Sequence, residues 1–185
     1  GTLQGLVKLQ KNLKDFRLYK KEDTSQSLFA EHLIASIYKD RDNRVWVGTW
    51  SKGLYRLDRE SHSLKRFTED HPSIPGNDVH TLFYDDRNRL WIGTDQGVSY
   101  YGLTDNSFHS FDQEDTLKIF NNNRVYAIDQ DHEGRIWFGT RNGLHVYASD
   151  SLKSFYSSNS DTSSLCSSLV YDVMVDSKNT LWVAT

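Results

Sequence analysis

Short apolar runs alternate with polar punctuation at a steady beat along this chain. Segments such as "HTLFYD", "VYAIDQD" and "VYDVMVD" are rich in β-branched and aromatic residues, the composition of strands. Each ends on an aspartate, with Asn or Gly three residues further on. That pair predicts a tight turn, in which the carboxylate accepts backbone N–H groups and Asn or Gly takes the left-handed conformation that closes it. The next run, as in "RIWFGT", is apolar on both sides of a tryptophan: Leu90 and Ile92 flank Trp91, and Ile136 and Phe138 flank Trp137. A run of that kind predicts a strand covered on both faces. A second turn follows, "TDQG" or "TRNG", with Gly139 and Gly143 read as turn glycines. A third strand, "GLYRLD", "GVSYYG" or "GLHVYAS", leads to a fourth that carries Phe16, Phe67, Phe111 or Phe155. A polar connector completes the unit, and helical periodicity is not evident.

The unit repeats. Trp46, Trp91, Trp137 and Trp182 are separated by 45, 46 and 45 residues. Twelve positions before them stand Ile34, Val79, Val125 and Val170; nine before, Ile37, Leu82, Ile128 and Val173; six before, Asp40, Asp85, Asp131 and Asp176. Three before are Asn43, Asn88, Gly134 and Asn179. Gly48, Gly93, Gly139 and the exception Ala184 follow the tryptophan by two, and Thr49, Thr94, Thr140 and Thr185 come next. Four short strands per period of about 45 residues, apolar on both faces, predict an all-β fold of blades around an axis, a β-propeller. A flat sandwich would leave one face of each strand polar, and helical solenoids of similar period have the wrong composition. The tryptophans are therefore expected to pack between blades and to hold no ligand.

The whole chain, 1–185, reads as one propeller segment. Residues 1–47 form a partial blade and the next inner strands; 48–92, 93–138 and 139–185 are repeats, the last ending in a partial blade. The halves could close a four-bladed ring, or the chain could be an arc of a larger propeller. Opening inside the motif, on "GTLQGL", favours the arc, with further residues on both sides or closure by a neighbouring chain.

Composition narrows the function classes. With 37% hydrophobic residues and five tryptophans, the 185-residue chain can bury a substantial core. A net charge of −3 and scattered basic residues give no footprint for nucleic acid. No apolar run approaches the roughly 18 residues of a membrane span, and the first residues lack the pattern of a signal peptide. A single cysteine, Cys166, excludes an internal disulfide framework and a cysteine metal site, and says nothing of compartment.

Chemistry is not legible. His32, His62, His71, His80, His109, His132 and His145 show no metal spacing, and most are expected to be solvated in connectors or turns. The repeated aspartates recur in every unit and read as turn formers, not catalytic carboxylates. Glu22-Asp23, Glu69-Asp70 and Glu114-Asp115 read as a solvated rim. No nucleophile elbow, phosphate-binding loop or cofactor motif is present. No catalytic residue, metal ligand or cofactor is assigned.

Binding is better supported. The loop before the innermost strand and the loop after the tryptophan strand should open on one face, where a rigid scaffold presents variable residues. The candidates are Trp50, Lys52, Asp95, Gln96, Arg141 and Asn142 after the tryptophan strand, and Asn77, Asn123 and Arg124 before the inner one. Trp50 is the one aromatic added outside the motif. Beside amides and charges it suits the C–H face and hydroxyls of a sugar; packing on a neighbouring blade or domain is the alternative.

The segments "AIDQDHEGRIWFGTRNGLHVY" and "LFYDDRNRLWIGTDQGVSYY" resemble the two-component regulator propeller repeat, as do the connectors "HPSIPGNDV" and "NSDTSSLCSSLV". The chain departs from that pattern at Ala184, at the "WSK" insert after Thr49 and at "DTLKIFNNN". The resemblance implies a seven-bladed propeller in the periplasmic sensor region of a hybrid two-component histidine kinase, responding to oligosaccharides. It further implies that the kinase and membrane span lie in flanking segments, and that the full-length protein is a homodimer. A propeller lyase resembling the streptogramin-inactivating kind and a protein-interaction propeller are the alternatives.

Overall fold

The computed structural model describes residues 33–58, 61, 63–71, 74–111, 120 and 123–185, and the backbone of 7–9 and 16–18. Three four-stranded antiparallel sheets follow one another along the chain. The first holds β3 (Ile34–Lys39), β4 (Val45–Thr49), β5 (Gly53–Leu57) and β6 (Leu64–Phe67). The second holds β7 (Val79–Tyr84), β8 (Arg89–Thr94), β9 (Val98–Gly102) and β10 (Ser107–Ser110). The third holds β11 (Val125–Gln130), β12 (Ile136–Thr140), β13 (Gly143–Ala148) and β14 (Ser151–Phe155). A hairpin of β1 (Val7–Leu9) and β2 (Phe16–Leu18) precedes them, and a two-stranded sheet of β15 (Asp172–Val175) and β16 (Leu181–Ala184) follows. The leading strands β3, β7, β11 and β15 run side by side across successive sheets, as the inner strands of a propeller do. The chain is an arc of a β-propeller.

The repeated aspartate does more than form a turn. Asp40 Oδ1 accepts the Arg44 N–H at 2.9 Å, while Oδ2 accepts Arg44 Nε at 2.6 Å and Trp46 Nε1 at 2.8 Å. Asp85 holds Arg89 and Trp91 in the same way, and Asp131 holds Arg135 and Trp137. One buried carboxylate thus closes the turn and satisfies the indole donor that a buried tryptophan brings into the core. The turn residues Asn43, Asn88, Gly134 and Asn179 sit at φ 63°, 62°, 78° and 63°, the left-handed region expected of them. At the far end of the strand the Thr49, Thr94 and Thr140 hydroxyls donate to the carbonyls of Gly53, Gly97 and Gly143 at 2.7, 3.0 and 2.8 Å.

Gly48, Gly93 and Gly139 are not turn residues, although Gly139 was expected to be one. All three lie inside strands, where the next blade comes too close for a side chain. A Cβ on Gly93 would stand 2.6 Å from Thr81 Cγ2 and 2.9 Å from Val125 Cγ1 of the following sheet. Gly143 is a turn glycine as expected, at φ 113°.

Trp46 and Trp91 are fully buried between sheets. The Trp46 ring lies 4.8 Å from Tyr101 of the next blade, and Trp91 lies 5.4 Å from Phe138 and 6.2 Å from Tyr147. Trp137 is half-buried in a cluster with Phe155, Leu181 and Val183. Trp182 departs from the expectation, being 58% exposed. Its sheet has two strands, and no following blade lies among the described residues to cover it. Phe67 and Phe155 end their outer strands; Phe111 falls one residue past β10.

Polar ties join the blades as well. Ser36 Oγ accepts the Leu82 N–H at 3.1 Å, and Asp129 Oδ2 accepts the Val175 N–H at 2.6 Å, each from the next inner strand. The histidines correct another expectation. Among the described ones only His132 is an exposed turn residue. His145 is fully buried between Thr140 Oγ1 and Ser154 Oγ, His109 is bonded to Asp105, and His71 and His80 are half-buried against aromatic rings. His32, His62, Glu22-Asp23 and Glu114-Asp115 lie outside the described residues, and Glu69-Asp70 is exposed.

Candidate functional site

The inner strand of each four-stranded sheet begins with a register shift: between Ile34 and Ser36, between Val79 and Thr81, and between Val125 and Ala127. A bulge re-aims the side chain of the extra residue. The residues so placed are Ala35, His80 and Tyr126, with Tyr171 at the matching position before β15. The loop after the tryptophan strand reaches the same place. Trp50, Asp95 and Arg141 donate backbone N–H groups to the carbonyls of Leu33, Asp78 and Arg124 at 2.9, 3.1 and 2.9 Å. Both loops therefore open on one face of the arc, at the mouth of its axis.

On that face the rings form a row that crosses three blade boundaries. Trp50 meets His80 edge-on at 5.4 Å, His80 meets Tyr126 at 5.8 Å, and Tyr126 meets Tyr171 at 5.7 Å. The two ends are open to solvent, Trp50 at 48% and Tyr171 at 58% exposure. The Arg124 guanidinium lies 6.0 Å from the centre of the Tyr126 ring. Burial, and then the Arg124 charge, hold the His80 imidazole below the ordinary histidine range, against the opposing pull of Asp78 and Asp95. His80 is therefore neutral at pH 7. Its Nε2 and Asp95 Oδ1 are enclosed without a hydrogen-bond partner among the described residues. Orphaned polar atoms of this kind cost about 1–3 kcal/mol each. Ser99 Oγ and, but for its ion pair with Asp42, Arg44 Nη2 are enclosed in the same way elsewhere in the arc.

The sequence candidates divide on this geometry. Trp50, Asp95 and Arg124 gather around His80. Asn77 and Asn123 hold the lead-in segments: Asn77 Oδ1 accepts the Glu69 N–H at 3.0 Å, and the buried Asn123 accepts the Asn142 N–H at 3.1 Å. The Lys52 carbonyl is tied to Arg66 on the outer strand, and the Gln96 amide bonds Asp95 Oδ2. Arg141 and Asn142 stand exposed on the β12–β13 turn. His80, Tyr126 and Tyr171 were not anticipated. Their signal was available in the residue that follows the first apolar position of each repeat, where Ala35, His80, Tyr126 and Tyr171 share no common type. No group of three or more His, Cys, Asp or Glu that could hold a metal is found among the described residues.

The aromatic row thus lies on one face of the propeller arc, each ring supplied by a different repeat. Three segments of the chain, 28–51, 73–96 and 119–142, match the two component regulator propeller repeat. A histidine kinase P4 from Formosa agariphila is 29% identical over 96 residues, covering 50% of this chain and 7% of that protein. The extracellular domain of BT4673 from B. thetaiotaomicron, described as a one component system in one structure and a hybrid two component system in another, matches the whole chain. In the first, identity is 25% and the TM-score 0.78, with 24% of that chain covered. The extracellular domain of BT3049 from the same organism, also described as a hybrid two component system, matches at TM-score 0.61 and 20% identity. It covers 98% of this chain and 29% of the other, and shows the shared fold. The chain thus spans 7% of its kinase relative and about a quarter of the BT4673 domain.

Proposed function

We propose that this arc reads an oligosaccharide in the periplasmic sensor region of a hybrid two-component histidine kinase, and binds the sugar without altering it. The observation that carries the reading is the row Trp50, His80, Tyr126 and Tyr171, with Arg124 beside it. Rings with centres 5.4 to 5.8 Å apart offer successive aromatic contacts to the C–H surfaces of neighbouring sugar units. Arg124, Asp95 and the turn residues Arg141 and Asn142 supply donors and acceptors for hydroxyls. A histidine kinase relative and the extracellular domains of similar fold support the setting. The remaining blades of a larger ring, seven by resemblance, and a second copy of the full-length protein are its expected partners. The membrane is reached through flanking segments alone.

The test is a melting-temperature screen of the full sensor region against defined oligosaccharides, with Tyr171→Ala and Tyr126→Ala as variants. A true ligand at 100 times its Kd adds roughly 2.7 kcal/mol of stability. The variants are expected to weaken that response by about tenfold in Kd while keeping the unliganded melting point near that of wild type. Full retention of sugar binding in both variants would refute the site.

A further inference from the structure

A second cleft, of about 570 Å³, lies at the outer side of the groove between the first two complete blades. Its cationic wall comes from Arg56 on β5 and Lys65 on β6, which stand opposite each other and in line with Trp46. The Arg56 guanidinium lies 5.5 Å from the Trp46 ring and 5.9 Å from Phe67, and Lys65 Nζ lies 5.1 Å from Phe67. Arg56 Nη1 donates to the Tyr101 hydroxyl at 3.1 Å. The facing wall is Tyr101 and Phe108 of the next blade.

Two features separate this cleft from ordinary scaffold. Arg44, which also lines it, has its charge balanced by Asp40 and Asp42 at 2.6 and 2.7 Å. Among the described residues no carboxylate comes within ion-pair distance of Arg56 or Lys65. The repeat also provides its own control. In the second blade the positions in line with the tryptophan are Tyr100 and His109, and in the third they are Val146 and Lys153. Blade packing is therefore satisfied by an aromatic pair or by a valine with a lysine, so it does not require Arg56, whereas the Lys65 position keeps a lysine, Lys153, over Phe155 in the third blade. A guanidinium held over aromatic faces, with a lysine beside it and no carboxylate to balance either, is the arrangement of an anion receptor.

We propose that this cleft binds the anionic group, carboxylate or sulfate, of an acidic sugar unit. Arg56 grips two oxygens of the anion, Lys65 supplies a second charge, and the Tyr101 and Phe108 rings bound the sugar ring. The proposal rests on the sugar-sensing reading only for the ligand's being a sugar; its selectivity for charge does not. Calorimetry on the full sensor region would compare a glucose disaccharide, its counterpart with a terminal glucuronic acid, and its counterpart with a 6-sulfate. The variants are Arg56→Gln and, because Arg56 packs on Trp46, the exposed Lys65→Gln as well. At least one acidic sugar is expected to bind about tenfold more tightly than the neutral one, with quenching of tryptophan emission and weakening in salt. Which of the two binds identifies the anion. Both variants should erase most of that preference and leave neutral-sugar binding unchanged. Equal binding of all three sugars, or a preference that survives both substitutions, overturns the proposal and leaves the axial row standing. Loss of neutral-sugar binding in Tyr171→Ala with acidic-sugar binding retained marks the two sites as separate and supports it.

Discussion

Replacing Asp85 with asparagine preserves the shape of the side chain and tests whether one carboxylate anchors a blade. Asp85 is 1% exposed and receives four hydrogen bonds. The Arg87 and Arg89 N–H groups reach Oδ1 at 3.0 and 2.9 Å, and Arg89 Nε and Trp91 Nε1 reach Oδ2 at 2.6 and 2.8 Å. An asparagine oriented to keep the backbone pair turns its amide N–H₂ toward two donors. The ion pair with Arg89 is lost, and the indole donor of a fully buried Trp91 is left unmet. A buried orphan donor costs about 1–3 kcal/mol, and breaking a buried ion pair about 3–5 kcal/mol. The Arg89 side chain keeps 15% exposure and can recover some hydration, so the expected loss is about 3 kcal/mol, at the lower end of that range. Asp176→Asn is the internal control, with the same motif but Thr180 in place of the arginine and an indole open to solvent. Urea unfolding followed by tryptophan emission should show a large fall in midpoint for Asp85→Asn and a much smaller one for Asp176→Asn. Equal shifts for the two variants would refute the claim that burial of the clamp, not the turn it closes, sets its worth.

Three further expectations follow from the geometry. Gly93→Ala forces a methyl group against Thr81 and Val125 of the two sheets it joins, and should lower stability by about 1–3 kcal/mol in the same assay. Because the folded-state pKa of His80 lies below its unfolded value of about 6.5, the unfolded chain takes up the proton first as pH falls. The associated stability is complete above about pH 6.5 and is lost below it, so wild type should lose melting temperature from pH 7 to pH 5 more steeply than His80→Gln. Burial would raise the Asp131 carboxyl, but hydrogen bonds from Trp137 and Arg135 outweigh it and leave the group below the ordinary range. Its contribution is present above about pH 3.9 and fades as pH falls through the lower folded value, which Asp131→Asn should remove from the acid limb of the melting profile.

The scaffold was legible in the chain because repetition exposes what a fold demands. Val79, Asp85, Asn88, Trp91 and Thr94 each have counterparts one period away, and each has the expected local structure. What the period could not convey was contact between units. Gly139 looked like a turn residue because glycine often is one; its actual constraint, Val170 Cγ1 at 2.9 Å from where a Cβ would stand, comes from the next blade. The site was half legible for the same reason. Trp50 and Arg124 stood out by breaking the repeat, whereas His80 and Tyr126 looked like ordinary strand residues until their bulges brought them, with Tyr171 ahead of β15, into one row.

In a ring of blades each unit touches only its neighbours, so a local disturbance ordinarily dies out after one boundary. The row from Trp50 to Tyr171 is an exception, since it begins on the first complete sheet and ends at the last. Any chain-like molecule lying along it would act as a splint, touching four sheets at once and resisting the tilt of one against the next. Occupancy of the row would then register as stiffness over the width of the arc, without any blade altering its own shape.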